Sequence, residues 1–327
     1  MYTPYVSVVI PNWNGKDLLG ACLDSLLAQT SKAEVVVVDN GSGDGSQSYL
    51  KKNYPEVTLI ELDKNYGFSG GVNRGIEHAM KAGAKYVALF NNDAIADKHW
   101  LKNILAAAET QPKSGIVTSK FMRIDKKHLD STGDFYSVWG LPFPRGRNEL
   151  DNGQYDDKRD VFGASGGASL YRAAMLQEVG LFDETFFAYF EDVDMSFRAQ
   201  LAGWKVVYAP QAIAYHHLSA TTSKLGSFAR YHSVKNFVLL YTKDMPAKLY
   251  WKYLPLACLQ FIRLGLGSLV RGEFLTFMRG WLAALGLMGS TLVKRHHIQQ
   301  SRKVSTAHID GLLFHHRPPK LPALGDT

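Results

Sequence analysis

The chain has 327 residues, of which 46% are hydrophobic, 20% charged and 12% aromatic. These proportions exclude a disordered or collagen-like protein, and two cysteines, Cys22 and Cys258, make neither a disulfide framework nor a zinc cluster. The net charge of +7 is local: from Lys243 onward stand 12 Lys and Arg against 4 Asp and Glu, so residues 1–242 are nearly neutral and no nucleic-acid partner is expected.

The N-terminus, MYTPYVSVVIPNWNG, has no basic leader and its apolar run stops at Pro11, so it reads as a strand rather than a signal peptide, in a reducing cytosol. Short β-branched runs then alternate with helical patterns. Val6–Ile10, Glu34–Val38, Val57–Leu62, Tyr86–Phe90 and Gly115–Ser119 read as buried strands; Asp17–Gln29, Val72–Ala82 and Lys98–Glu109 read as helices between them. This rhythm predicts an α/β fold with a doubly wound, mostly parallel sheet, whose ligands bind at the carboxyl ends of the strands. Residues 121–160 lose the rhythm and read as a long excursion. Within them 133–158, with Trp139, Arg145 and Arg147, is a candidate lid. Val161–Tyr171 reads as a Gly-rich strand, Glu191–Ala202 as a helix, and Trp204–Tyr208 as a strand leading to His216. Beyond the α/β domain, 1–242, the basic region 243–327 carries apolar stretches 253–262, 264–270 and 280–293, broken by Arg263, Arg271 and Arg279. None reaches the roughly 18 uninterrupted apolar residues of a spanning helix. The pattern suits helices lying in the interface of an anionic membrane, and also a helical layer that packs on the body or forms a homodimer.

The strand ends carry the chemistry. The first strand ends in Pro11-Asn12-Trp13-Asn14-Gly15 and the second in Asp39-Asn40-Gly41-Ser42, a carboxylate and small residues able to meet a base or ribose, or to cap a turn. The first turn lacks the GxGxxG fingerprint of a nicotinamide site. The segment Asn65 to Gly75, containing Gly71, Asn73 and Arg74, is a Gly-rich stretch opening a helix; it suits a diphosphate, and also tight helix packing. The fourth strand runs into Asn91-Asn92-Asp93, and oxygen ligands there with His216 downstream suit Mg²⁺ or Mn²⁺. The densest constellation is Phe186-Phe187-Ala188-Tyr189-Phe190-Glu191-Asp192-Val193-Asp194, three acids behind an aromatic run at a helix N-terminus. Aromatic neighbours desolvate a carboxylate and raise its pKa toward that of a general base, whereas the helix dipole alone also favours acids there. Glu191 and Asp194 are both within reach of Arg198 on such a helix.

Taken in order, VSVVIPNWNG, VVVVDNGSGDGS, NYGFSGGVNRG, YVALFNNDA, FFAYFEDVDMSFRAQLAGW and the later histidine resemble the inverting glycosyltransferases of family 2, which have the GT-A fold; within that family the chain looks most like rhamnosyl- and galactofuranosyltransferases of bacterial polysaccharide synthesis. The resemblance implies a nucleoside-diphosphate sugar donor, a divalent cation and a carboxylate base. By position it implies that Asp39 recognises the nucleotide, with Pro11, Asn12, Asn14, Asn40 and Ser42 nearby. Asn65, Gly71, Asn73 and Arg74 would lie under the nucleotide and diphosphate, with Asn91, Asn92, Gly166 and Glu191 also lining the donor. Asp93 and His216 fall on the metal ligands and Asp192 on the catalytic base. Asn91 departs from the family pattern, standing where many relatives have the first acid of a DxD motif. The expected reaction is transfer of a sugar, rhamnose from dTDP-rhamnose first and a UDP-sugar second, to a saccharide or lipid-linked glycan acceptor, by an enzyme peripheral on the inner face of the cell membrane. A nucleotidyltransferase is disfavoured because the first turn lacks a phosphate-cradling glycine run, and a non-catalytic nucleotide-sugar-binding scaffold is disfavoured by the intact EDVD segment.

Overall fold

The computed structural model describes residues 4–217 and 226–319. The β-branched runs of the N-terminal half form β1 (Val6–Asn12), β2 (Glu34–Asp39), β3 (Thr58–Glu61) and β4 (Tyr86–Phe90), crossed by α1 (Lys16–Leu27), α2 (Ser46–Asn53) and α3 (Gly67–Lys81). Then follow β5 (Ala94–Ala96), α4 (Trp100–Thr110), β6 (Ser114–Arg123), β7 (Leu129–Ser131), β8 (Asp134–Tyr136), β9 (Pro142–Pro144), β10 (Asp160–Val161), β11 (Ala168–Arg172), α5 (Ala173–Val179), α6 (Glu191–Leu201) and β12 (Lys205–His216).

The main sheet runs β10-β12-β6-β11-β4-β1-β2-β3, with β5 on β12 and β7 on β6. The pairs β1–β2, β1–β4, β2–β3 and β6–β12 are parallel, and β11 enters antiparallel between β4 and β6. Both faces are covered, which is why the strands read as unbroken apolar runs. Val8, Ile10, Val37, Ala88 and Phe90 pack on Leu19, Leu23, Trp100 and Ile104. On the other face Val9, Val36, Val38, Val87 and Leu89 pack on Val72, Ile76, Met195 and Ala199. The α3 helix reaches the sheet so closely that a Cβ on Gly75 would lie 2.3 Å from Cγ1 of Val9, so glycine is required there.

The C-terminal part is a helical layer: α7 (Gly226–Asp244), α8 (Ala247–Val270), α9 (Phe274–Gly286), α10 (Met288–Gln300) and α11 (Thr306–Leu312). It shares a core with α6, in which Phe197 and Leu201 meet Phe237, Leu240 and Tyr241 of α7 together with Leu249, Tyr253 and Ala284. The boundary expected at 242 and 243 falls inside the last turn of α7. Helix α8 contains a window of mean hydropathy 1.4 of which 22% is buried, so among the described residues one helix is long and apolar enough to cross a membrane, although Arg263 interrupts it.

Three expectations change. The 121–160 excursion is structured: β6 continues to Arg123, and β7 to β9 follow. The segment expected as a lid is pinned, because Arg145 is buried, donates from Nη2 to the Thr132 carbonyl at 2.8 Å and from Nη1 to the Lys158 carbonyl at 3.0 Å, and stacks on Tyr155 and Tyr208. Arg147 pairs with Asp130 at 3.0 Å, and Arg263 lies over the Trp139 ring. The strand expected over Val161–Tyr171 is broken into β10 and β11 by a turn containing Gly163, Gly166 and Gly167. That turn lies at the carboxyl end of β4, where the chemistry converges.

Candidate active site

The β1 and β2 ends are joined by amide and carboxylate groups that bond mainly to one another. Asp39 is fully buried; it accepts from Asn12 Nδ2 at 2.9 Å, the Ser42 N–H at 3.0 Å and Gln47 Nε2 at 2.8 Å. Asn12 in turn accepts from Asn92 Nδ2 at 2.8 Å, linking this edge to the end of β4. Asn14 takes a left-handed backbone, φ 51°, which asparagine tolerates, and its Oδ1 accepts from the Gly43 N–H at 2.8 Å. Asn40 staples the next loop, donating to Asn65 Oδ1 and the Gly67 carbonyl and accepting from the Tyr66 N–H. Pro11 lies in β1 opposite Val38. The side chains expected around the nucleotide are thus one connected ledge.

The Gly-rich stretch is not an open phosphate cradle. Helix α3 begins at Gly67, so Gly70, Gly71 and Gly75 lie inside it and are buried, and a Cβ on Gly71 would come 3.1 Å from Asn40 Nδ2. The leading N–H groups are already taken: Gly67 donates to Asn65 Oδ1 at 2.8 Å and Ser69 to the Phe187 carbonyl at 3.2 Å. Asn73 holds the backbone of Phe182 in both directions, and Arg74 pairs with Glu184 at 2.8 Å and lies over the Tyr66 ring. Close packing, the other reading of these glycines, is present at Gly71 and Gly75.

Asp93 and His216 are brought together by β5. His216 stands opposite Ala94 in the antiparallel β5–β12 pair, and the His217 N–H donates to the Asp93 carbonyl at 2.9 Å. His216 Nε2 lies 3.3 Å from Asp93 Oδ1, a buried oxygen with no other polar partner among the described residues. On its other side His216 Nδ1 meets Asp130 Oδ2 at 2.9 Å, and the ring lies flat on Phe121 at 4.5 Å. Burial works against the imidazolium, but the hydrogen bond to Asp130 and the charge of Asp93 outweigh it and raise the pKa to about 9. Among the described residues no three His, Cys, Asp or Glu side chains form a cage. The donor set present, one carboxylate oxygen that meets only the imidazole among the described residues, the imidazole itself once a cation displaces its Nε2 proton, and an orienting second carboxylate, fits a divalent cation completed by diphosphate oxygens. Asp130 is invisible to motif reasoning, since its role depends on β7 pairing with β6.

Asp192 sits in the first turn of α6, half-buried, with Oδ2 accepting from the Gly166 N–H at 3.0 Å and Oδ1 from the Val193 N–H at 2.8 Å. Gly166 and Gly167 connect it to β4, because the Asn91 N–H donates to the Gly167 carbonyl at 2.8 Å. Burial raises the Asp192 carboxyl above its usual range, and the two N–H groups offset part of this. Glu191 is raised further, by burial and then by the Asp192 charge. A second carboxylate missed in the sequence, Asp134 of β8, is buried and pushed up to about 7 by desolvation and by the charge of Asp192. The third acid of the run is structural: Asp194 pairs with Arg198 at 2.9 Å and with Lys243 of α7, while Glu191 makes no such bond to Arg198. Lys243 also reaches Asp183 at 2.7 Å, and Lys294 of α10 reaches the same carboxylate at 2.6 Å.

In fold the chain is similar to a mannosyltransferase, PcManGT, from Pyrobaculum calidifontis in complex with GDP-Man and Mn2+, with TM-score 0.55 and 18% identity over 95% of this chain and 86% of that one. It is also similar to S. aureus TarS in complex with UDP, with TM-score 0.52 and 17% identity over 76% of this chain and 70% of that one. These likenesses show a GT-A-type fold. The chain belongs to glycosyltransferase family 2: a family model described as Glycosyltransferase like family 2 matches residues 4–233. It is 31% identical over 231 residues to the N-acetylglucosaminyl-diphospho-decaprenol L-rhamnosyltransferase of Mycobacterium tuberculosis, covering 63% of this chain and 75% of that protein. It is 28% identical over 228 residues to the O-antigen biosynthesis protein RfbC of Myxococcus xanthus, covering 67% of this chain but 18% of that protein.

Proposed function

We propose that this glycosyltransferase moves L-rhamnose from dTDP-rhamnose, with inversion, to a hydroxyl of a saccharide or polyprenyl-linked glycan acceptor in cell-surface polysaccharide synthesis. The arrangement that supports this most is Asp192 held by the Gly166 N–H beside the strand end that bears Asp93. A carboxylate of raised pKa at the sheet edge can take the proton of the attacking acceptor hydroxyl, and the likeness to an L-rhamnosyltransferase supports the choice of sugar. Asp93 and His216 would hold a divalent cation, Mg²⁺ or Mn²⁺, which supplies charge neutralisation to the leaving diphosphate. The chain's own ledge of Asn12, Asn14, Asp39, Asn40, Ser42 and Asn65, with Pro11, Asn91 and Asn92, would bind and orient the nucleotide and sugar, with Glu191 beside the base, Asp192. For Asn73 and Arg74 to reach a diphosphate they would have to leave Phe182 and Glu184. A UDP-sugar is the second donor, because no residue of the ledge distinguishes sugar stereochemistry.

The C-terminal layer would dock on the cytoplasmic face of the membrane. Its outward side chains are large and apolar, with Trp251 70%, Leu275 75% and Val270 88% exposed, and Arg263, Arg271 and Arg279 are interspersed among them. The first test is a thermal-shift panel of dTDP-, UDP- and GDP-sugars with and without Mn²⁺ or Mg²⁺, followed by transfer to an N-acetylglucosaminyl-diphospho-lipid. A cation-dependent shift and transfer with dTDP-rhamnose is the expected result; a shift and transfer with another donor alone would replace the sugar assignment.

A further inference from the structure

Of the four residues leading into α6, three hold a left-handed backbone: Phe187 at φ 66°, Tyr189 at 68° and Phe190 at 69°. Bulky aromatic residues disfavour this conformation, and such a run persists only where its surroundings over-determine it. Phe190 is also the N-cap of α6. It offers no capping side chain, so the first helical turn, with Asp192 in it, takes its direction from how the preceding backbone is held.

The restraint comes from α7, an element distant in sequence. Asn236 is fully buried, and the two hydrogens of its Nδ2 group face three carbonyls, those of Phe186 at 3.0 Å, Ala188 at 2.8 Å and Tyr189 at 2.6 Å, so that one hydrogen is shared between two of them. Its neighbour Lys235, also buried, donates from Nζ to the Thr185 carbonyl at 2.7 Å and the Phe186 carbonyl at 3.3 Å. From the opposite side the Phe187 carbonyl accepts the Ser69 N–H at the start of α3. That approach leaves no room at Gly67, whose Cβ would lie 2.4 Å from the Phe187 oxygen. An apolar side chain would fill the space of Asn236 without desolvating an amide. What the amide adds is the capture of three carbonyls that a left-handed run turns away from regular pairing.

We propose that Asn236, assisted by Lys235, is a positioning residue for the Asp192 carboxylate, holding the strained 187–190 run so that α6 presents Asp192 at Gly166. This rests on the reading of Asp192 as the base. The test uses the full chain carrying Asn236→Ala or Asn236→Asp, with dTDP-rhamnose, Mn²⁺ and an N-acetylglucosaminyl-diphospho-lipid acceptor. The expected result is faster amide hydrogen exchange confined to about residues 186–192, and a kcat lowered about 10–100-fold with donor KM within about twofold, since small misplacements of a reacting group carry costs of this order. Lys235→Met, which keeps the stem and removes the cation, gives a smaller loss of the same kind and serves where the Asn236 variants do not fold. Near wild-type kcat, unchanged exchange over 186–192, or a loss of kcat matched by loss of donor affinity overturns the proposal. Asp192→Asn separates the two readings: if it loses turnover while Asn236→Ala does not, the positioning role alone fails, and if it turns over normally both fail.

Discussion

His216 Nδ1 lies 2.9 Å from Oδ2 of Asp130, a residue 86 positions away, and this contact fixes Nε2 as the nitrogen that meets Asp93. Asp130 is itself paired with Arg147 at 3.0 Å, so the ring is oriented by a group that is held in turn. Asp130→Asn should therefore weaken Mn²⁺ binding about 10–100-fold, as loss of an orienting carboxylate generally does, without touching the cation. Mn²⁺ titration in the presence of UDP or dTDP reads this directly, and an unchanged affinity would remove Asp130 from the site.

Asp192→Asn should retain donor binding and lose about 10²–10⁴-fold in turnover, the usual contribution of a general base. The carboxyl is raised by burial, and only its deprotonated form can accept a proton, so kcat should rise with pH through its titration. Repulsion between Asp134 and Asp192 is mutual, so Asp134→Asn should move that limb to lower pH. A limb that stays in place would show that the two carboxylates do not communicate.

Lys243 is buried against Asp194 and Asp183, joining the helical layer to α6. Removing Lys243 leaves Asp194 with Arg198 alone and Asp183 with Lys294 alone, so Lys243→Met should destabilise the fold by up to about 3–5 kcal/mol in urea denaturation. Burial alone would raise the Asp183 carboxyl, but Lys243 and Lys294 outweigh it and hold it low. Stability from this pair is present above the unfolded-state carboxylate pKa and is lost as pH falls through the depressed folded value. Lys243→Met should therefore flatten the acid side of the stability profile, and a merely parallel loss at every pH would contradict the pairing.

Because α7 shares its core with α6, cutting the chain near residue 242 would open that core and give no clean measure of lipid binding. Surface substitution avoids this. Ile262, Leu266 and Val270 are 57%, 58% and 88% exposed on α8, and replacing all three by Glu should abolish co-sedimentation with anionic vesicles while leaving the melting temperature within a few degrees. Salt should weaken wild-type binding, since each nearby Lys or Arg contributes about 1 kcal/mol at an anionic surface. Equal sedimentation of both proteins would dismiss the docking face.

Local pattern was enough for the β-branched runs of β1 to β4 and β6, for α1, α4 and α6, and for the family, because a strand buried on both faces must be apolar throughout and motifs follow strand ends. It also pointed to Asp93, His216 and Asp192, which the fold gathers at the carboxyl end of β4. The same pattern left two readings for the glycines of α3, since an open loop and a helix packed tightly on Val9 both require a missing Cβ, and only the neighbouring strand shows the packing. It misjudged Arg145 and Arg147 because a guanidinium in a loop reads as free until the carbonyls and carboxylate that surround it are in place. The tertiary structure alone decided the partners that lie far off in sequence: Asp130 on His216, Asp134 near Asp192, Lys243 on Asp194 and Asn236 on the left-handed run. Sequence periodicity reports which face of an element is buried, whereas the identity of what meets a polar group across that burial is a property of strand order and helix docking.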